Sequence, residues 1–211
     1  MRRCLADLDQ QVRAADPDRW LSSRFVADPQ ARADLIALYA FEAELNAIPT
    51  RVSQPMLAEM RFVWWRDQMD GVFSGAPRKG HPVIEALADV VARRGLERAA
   101  FDALIEAQIG RVHREPHDLE ALFVGPMRLA ARVLTGADQD AAVDEAARVW
   151  AETRTGQFAE ARERRDAANR ALKTLPAAGF PAVAHAALTS PDAPEPLKRL
   201  RLVWAVFQGR I

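Results

Sequence analysis

Leu57-Ala58-Glu59-Met60-Arg61-Phe62-Val63-Trp64-Trp65-Arg66-Asp67 decides how this chain is read. The stretch lies in a predicted helix that starts at Ser53-Gln54-Pro55 and runs to about Phe73, with Met56, Met60, Val63, Trp64 and Met69 as its apolar residues. Two adjacent tryptophans stand between arginines, and only five tryptophans occur in 211 residues. Neighbouring helical residues point about 100° apart, so both rings cannot face one core. One is expected to pack inward and the other to line a cavity wall or partner surface.

The surrounding sequence is helical throughout. Upstream, Asp28-Pro29 caps a helix running from about Gln30 to Ala47. Leu35, Ile36, Leu38, Tyr39, Phe41, Leu45 and Ile48 give it a wide apolar stripe, and Pro49 is expected to end it. Downstream, the loop Ser74–Gly80 leads to helices read as Pro82–Arg94, Glu97–Arg114, Leu119–Leu134 and Asp138–Arg165. Ala167–Leu188, broken near Gly179, and Pro196–Phe207 complete the chain. No alternating strand pattern occurs. The fold class is all-α, with residues 1–211 as one domain of helices joined by short loops.

Composition narrows the function. The sequence is 49% hydrophobic, enough for a sizeable core. Its 29 basic and 29 acidic residues balance, so no nucleic-acid partner is expected. The lone Cys4 fits a reducing compartment, and Met1–Asp7 reads as no signal peptide. No apolar run reaches the length of a spanning helix. A cytoplasmic protein follows, and peripheral contact with the inner membrane is compatible with these features.

Ala37-Leu38-Tyr39-Ala40-Phe41, the Pro55–Asp67 stretch and His81-Pro82-Val83 together resemble the squalene/phytoene synthase family in order and spacing. The resemblance is specific to about Ala131 and continues weakly to Trp204. It implies an isoprenoid-synthase-like helical bundle, here shortened. Active family members join two prenyl diphosphates in a central apolar cavity. Asp-rich motifs on two facing helices hold the Mg²⁺ ions that bridge the diphosphates. Carboxylate oxygens suit octahedral Mg²⁺, and aspartates four residues apart share one helix face.

The departure falls at those motifs. The first would be acid-rich where this chain reads Ala43-Glu44-Leu45-Asn46-Ala47-Ile48-Pro49-Thr50. Glu44 matches the family's leading Glu, Asn46 and Thr50 replace the aspartate pair, and Ala47 stands where a third is common. Thr50 also follows Pro49, so the helical spacing is expected to be lost. Glu42 and Glu44, two residues apart, face different ways. The second motif would lie near Trp150–Glu160, which has no aspartate pair. Asp140 and Asp144 read as a helix N-terminus, and Glu160, Glu163 and Asp166 as a solvated face among arginines.

The remaining candidates follow from the same comparison. Ser22 and Arg24 match a region that helps bind diphosphate, although a plain helix turn explains them equally well. Arg61 and Arg66 suit a phosphate or an ion pair with Glu59 or Asp67. Tyr39, Trp64 and Trp65 would line a retained lipid cavity, which should be apolar and built from the Tyr39 and Trp64 helices, although a core tyrosine with its hydroxyl hydrogen-bonded is the plainer reading of Tyr39. His113 and His117 lack further metal ligands, so zinc is not expected.

Ser53-Gln54-Pro55-Met56-Leu57 places the chain nearer to the catalytically degenerate branch of the family than to carotenoid enzymes. That branch includes a mitochondrial respiratory complex I assembly factor. No catalytic residue and no cofactor are expected, with Mg²⁺ needed only if the chain is an active prenyltransferase. The implied partners are a protein, an isoprenoid or a lipid. The leading expectation is a non-catalytic assembly or interaction factor, with a divergent prenyltransferase and a lipid carrier as alternatives.

Overall fold

The computed structural model describes residues 2–52, 54–190 and 192–211, the first five of these by backbone alone. Ser53, which weighs in the resemblance, lies outside the described residues, as do Met1 and the Cys4 side chain. The helices are α1 (Arg2–Ala15), α2 (Pro17–Ser23), α3 (Pro29–Arg51), α4 (Pro55–Phe73), α5 (Pro82–Arg94), α6 (Arg98–Val112), α7 (Gly125–Thr135), α8 (Asp140–Arg154), α9 (Phe158–Ala171) and α10 (Glu195–Gln208). A short π-helical segment, Glu120–Val124, leads into α7. No strand occurs among the described residues.

Helix α3 is the centre of the bundle. Every residue from Asp34 to Phe41, and Glu42 beyond them, is buried, so this helix is enclosed on all sides rather than amphipathic. It packs on α1, α5, α6 and α7. Asp28 caps it by accepting from the backbone N–H groups of Gln30 and Ala31. Asp34, only 1% exposed, accepts from Arg93, Arg94 and Gln30, which ties α3 to α5.

Pro49 does not end α3, contrary to the sequence expectation. The helix continues to Arg51, and the Val52 N–H bonds to the Ile48 carbonyl at 3.1 Å. Proline removes one N–H and crowds the preceding turn, but here that turn is the last one. Asn46 and Thr50 therefore stay four residues apart on one helix face.

The α4 stripe also differs. Met56, Met60 and Val63 are exposed, and the buried row is Ala58, Phe62, Trp65, Met69 and Val72. Apolar residues lie on both sides of this helix, so periodicity left its inner face undecided. Trp65 meets Phe41 edge-on at 5.3 Å, and His81 packs against both tryptophans at 5.4 and 5.6 Å. Trp64 is half-buried. The tryptophan pair and the His81-Pro82 start of α5 are thus one aromatic junction among α3, α4 and α5.

The expected long helix Asp138–Arg165 is two helices. Gly156, at φ 84°, turns the chain after α8, and the Gln157 N–H bonds back to the Glu152 carbonyl at 2.8 Å. Helix α9 then packs back on α8. Beyond Ala171 the expected helix to Leu188 is replaced by short 3₁₀ turns at Leu172–Thr174, Ala177–Ala182 and Ala184–Ala187.

Candidate functional site: an arginine-lined cavity

A cavity of about 540 Å³ opens beside α3, walled also by α2, α6, the π-helical segment and α8. Tyr39, Glu42, Asn46 and Thr50 project into it from α3, three or four residues apart, with Ala47 beside Asn46. This is the helix face on which the resemblance placed the metal carboxylates. Leu122, Phe123 and Trp150 supply apolar wall.

The charged groups at this wall are mostly cations. Arg19, Arg51, Arg111 and Arg154 line the cavity, against the two carboxylates Asp16 and Glu42. Arg19 is committed to those two: it pairs with Glu42 and lies 3.6 Å from Asp16. Burial works against the Arg19 charge, but Glu42 and Asp16 outweigh it and hold the guanidinium above its ordinary value. Burial pushes the Glu42 carboxyl up, and Arg19 opposes that shift.

Arg111 has no such partner among the described residues. Its Nη1 donates to Asn46 Oδ1 at 3.1 Å and to Gln108 Oε1 at 2.9 Å, both neutral amides. Burial lowers its pKa, and no carboxylate among the described residues offsets the shift. Arg154 lies over the Trp150 ring at 5.2 Å, and its nearest carboxylate is Asp18 at 3.9 Å. Asp18 is already held by Lys198 at 2.8 Å. Arg51 is exposed and forms no ion pair among the described residues. The Tyr39 hydroxyl is buried without a hydrogen-bond partner among them, and burial raises its pKa.

The side chains at the expected metal positions are engaged within the protein. Asn46 Oδ1 accepts from Gln108 Nε2 at 2.8 Å as well as from Arg111, and the Thr50 hydroxyl donates to the Ala47 carbonyl at 2.9 Å. Among the described residues no group of three or more His, Cys, Asp and Glu side chains is arranged to hold a metal.

Other candidates fall elsewhere. Glu44 accepts from Gln11 at 2.5 Å and lines a separate pocket of about 220 Å³ with Arg61, Trp64, Trp65 and His81. The cavity is therefore not the apolar chamber expected between the Tyr39 and Trp64 helices: Tyr39 lines one space, Trp64 another, and only Ala47 and Arg51 border both. Ser22 is buried and donates to the Pro181 carbonyl at 2.6 Å, while exposed Arg24 lies 5.7 Å from the Trp20 ring. Arg66 pairs with Glu106 of α6, Glu59 pairs with His113 at 3.0 Å, and Arg61 forms no ion pair among the described residues, so neither expected partner is used.

The acids near the second motif are also engaged. Asp140 and Asp144 surround Arg128, with Asp144 bidentate at 2.7 and 2.6 Å. Glu152 accepts from Arg164 at 2.8 Å and does not line the cavity. The sequence reading passed over Arg19, Arg111 and Arg154. Each reads locally as an ordinary helix residue, and Asn46 lies 65 residues from Arg111.

This all-α bundle is a known one. Squalene synthase HpnC from Alicyclobacillus acidocaldarius shares it, with a TM-score of 0.69 over 99% of this chain and 95% of that one at 14% identity. The squalene/phytoene synthase profile matches residues 12–124. The chain belongs to the squalene/phytoene synthase family. It also resembles a Dictyostelium discoideum protein described as a homologue of NADH dehydrogenase (ubiquinone) complex I assembly factor 6, at 23% identity over 92 residues. That match covers 44% of this chain and about a quarter (26%) of the relative. No helix among the described residues is long and apolar enough to cross a membrane.

Proposed function

We propose that this protein is a non-catalytic member of its family that acts as an assembly or interaction factor, with a respiratory complex as its client. The observation that carries the proposal is Arg111 on Asn46. A guanidinium stands where the family's chemistry calls for a carboxylate and a divalent cation. Ionising an allylic diphosphate needs concentrated positive charge at the leaving group, which clustered metal ions supply. Mg²⁺ takes hard oxygen ligands, carboxylates above all. Two neutral side chains already hydrogen-bonded elsewhere, beside a fixed cation, do not fit such a cluster.

The likeness to the assembly-factor homologue supports the client. An apolar surface supports a protein contact: Leu200, Val203, Trp204 and Phe207 form an exposed row on α10. Deleting the gene in its source organism tests the reading. Membrane NADH oxidation should fall while hopanoid and carotenoid levels hold. Unchanged respiration with altered isoprenoid products contradicts it.

A further inference from the structure

We infer that the groove between α9 and α10 seats an amphipathic segment of a partner protein, with apolar residues against Leu200 and Trp204 and carboxylates reaching Arg165, Arg201 and Arg210. The inference rests on the interaction-factor reading and deepens it, because it names the chemistry of the surface that the client offers.

Three observations converge. The first is uncompensated charge. The groove encloses about 670 Å³ and shares no lining residue with the cavity beside α3. Arg165, Arg201 and Arg210 line it, and no aspartate or glutamate does. Arg165 donates to the Ala186 carbonyl at 3.2 Å and Arg201 to the Thr189 hydroxyl at 2.5 Å, both neutral acceptors. The one acid of α10, Glu195, is taken by Arg199 at 2.5 Å. The guanidiniums also oppose one another: burial lowers the Arg165 pKa, and the Arg201 charge lowers it further. Carboxylates brought by a partner would offset both effects.

The second is the unpartnered face of α10. Leu202 and Ala205 are buried against the bundle, whereas Leu197, Leu200, Trp204 and Phe207 face solvent at three- and four-residue spacing. Trp204 is 60% exposed and Phe207 80%, and their rings stack at 6.1 Å. A contiguous row of large apolar side chains held in water marks an interaction surface.

The third is how the two features join. Leu200 and Trp204 belong to both the row and the groove, so the apolar row borders the cationic cleft. Asn169 of α9 fixes the wall at Ile211, donating to its carbonyl at 3.1 Å and accepting from its N–H at 2.8 Å. Arg165 is half-buried, so an anion that pairs with it has to enter the groove. A flat lipid surface meets protruding groups only. A peptide segment can place an acidic side chain inside while its apolar neighbours lie along the row.

Fluorescence anisotropy of a labelled synthetic peptide, titrated with the whole chain, tests this. The probe is a helical peptide of about 18 residues with leucines at three- and four-residue spacing and glutamates beside them. It should bind at least about tenfold more tightly than the same peptide with glutamine for glutamate or with alanine for leucine. Added salt should weaken it. Arg201→Gln combined with Arg210→Gln should weaken the glutamate peptide about tenfold and leave the glutamine peptide unchanged, and Trp204→Ala should weaken both. All three positions are exposed, so helical circular dichroism should hold in these variants.

Equal binding of the glutamine peptide overturns the charge assignment, and equal binding of the alanine peptide overturns the apolar one. No binding of the glutamate peptide overturns the groove as a peptide site. Phosphatidylglycerol vesicles that bind more tightly than the peptide would make the occupant a lipid surface. Dimerisation in sedimentation that Trp204→Ala abolishes would make it a second copy. Either result overturns the inference. Returning the triple variant to the deletion strain separates this inference from the functional reading, and it is expected not to restore membrane NADH oxidation. Full restoration sinks the inference and leaves the interaction-factor reading standing, whereas unchanged respiration in the deletion strain sinks that reading itself.

Discussion

Replacing Asn46 by aspartate restores a carboxylate at a position where the family's metal chemistry would use one, and the outcome separates two accounts of this wall. Asn46 Oδ1 lies 3.1 Å from Arg111 Nη1. A full charge pair at that separation is worth about 5 kcal/mol at an effective dielectric of 20 and about 1 kcal/mol with water-like screening. Asn46 is exposed, so the screened value applies, and a gain of about 1 kcal/mol is expected at pH 7. For a chain of this length that raises Tm by about 2–4 °C. The new carboxyl would have its pKa lowered by Arg111, so the gain is present above the unfolded Asp value of about 3.9 and is lost as pH falls through the lower folded value. Scanning calorimetry of N46D and wild type, each with and without Mg²⁺, reads all of this. Two results refute the reasoning: N46D less stable than wild type at pH 7, or a Mg²⁺-dependent rise in Tm that wild type lacks. Either would mean that a carboxylate here meets something other than a guanidinium.

Further predictions concern the scaffold. His185 is buried against Trp150, and burial, with Arg19 and Arg154 nearby, lowers its pKa well below 6.5. A depressed histidine pKa means that the unfolded chain binds the proton first, so stability should fall below about pH 6.5, by up to about 1.4 kcal/mol per unit. A His185→Gln variant should flatten that limb of a pH–denaturation series. Asp34→Asn removes the charge facing the partly exposed Arg93 and Arg94 and should cost about 1–3 kcal/mol in urea unfolding, and no measurable loss would show that the pair is screened. Trp65→Ala, at a position 3% exposed, should cost about 3–5 kcal/mol, whereas the same change at half-buried Trp64 should cost clearly less.

The sequence conveyed the scaffold where pattern and packing agree. The apolar run on α3 and the proline starts of α3, α4 and α5 follow from local residues, whereas the packing of His81 on Trp64 and Trp65 emerges only in the fold. It misled where local rules yield to context. Pro49 reads as a stop, yet one lost hydrogen bond in a final turn does not end a helix whose inner face is buried at Leu45 and Ile48. Gly156 was a visible signal, passed over because charges continue on both sides of it. The loss of aspartates was legible residue by residue. What replaced them was not, because Arg19, Arg111 and Arg154 meet α3 only after the chain has folded, from helices 23 to 65 residues distant for the two pairs that contact it directly.

The most direct test is turnover. The chain is incubated with radiolabelled farnesyl or geranylgeranyl diphosphate and Mg²⁺, and the organic extract is resolved for coupled hydrocarbon products. The account predicts that the label stays in the diphosphate with wild-type protein. A coupled product that appears with Mg²⁺ and disappears with EDTA would contradict it.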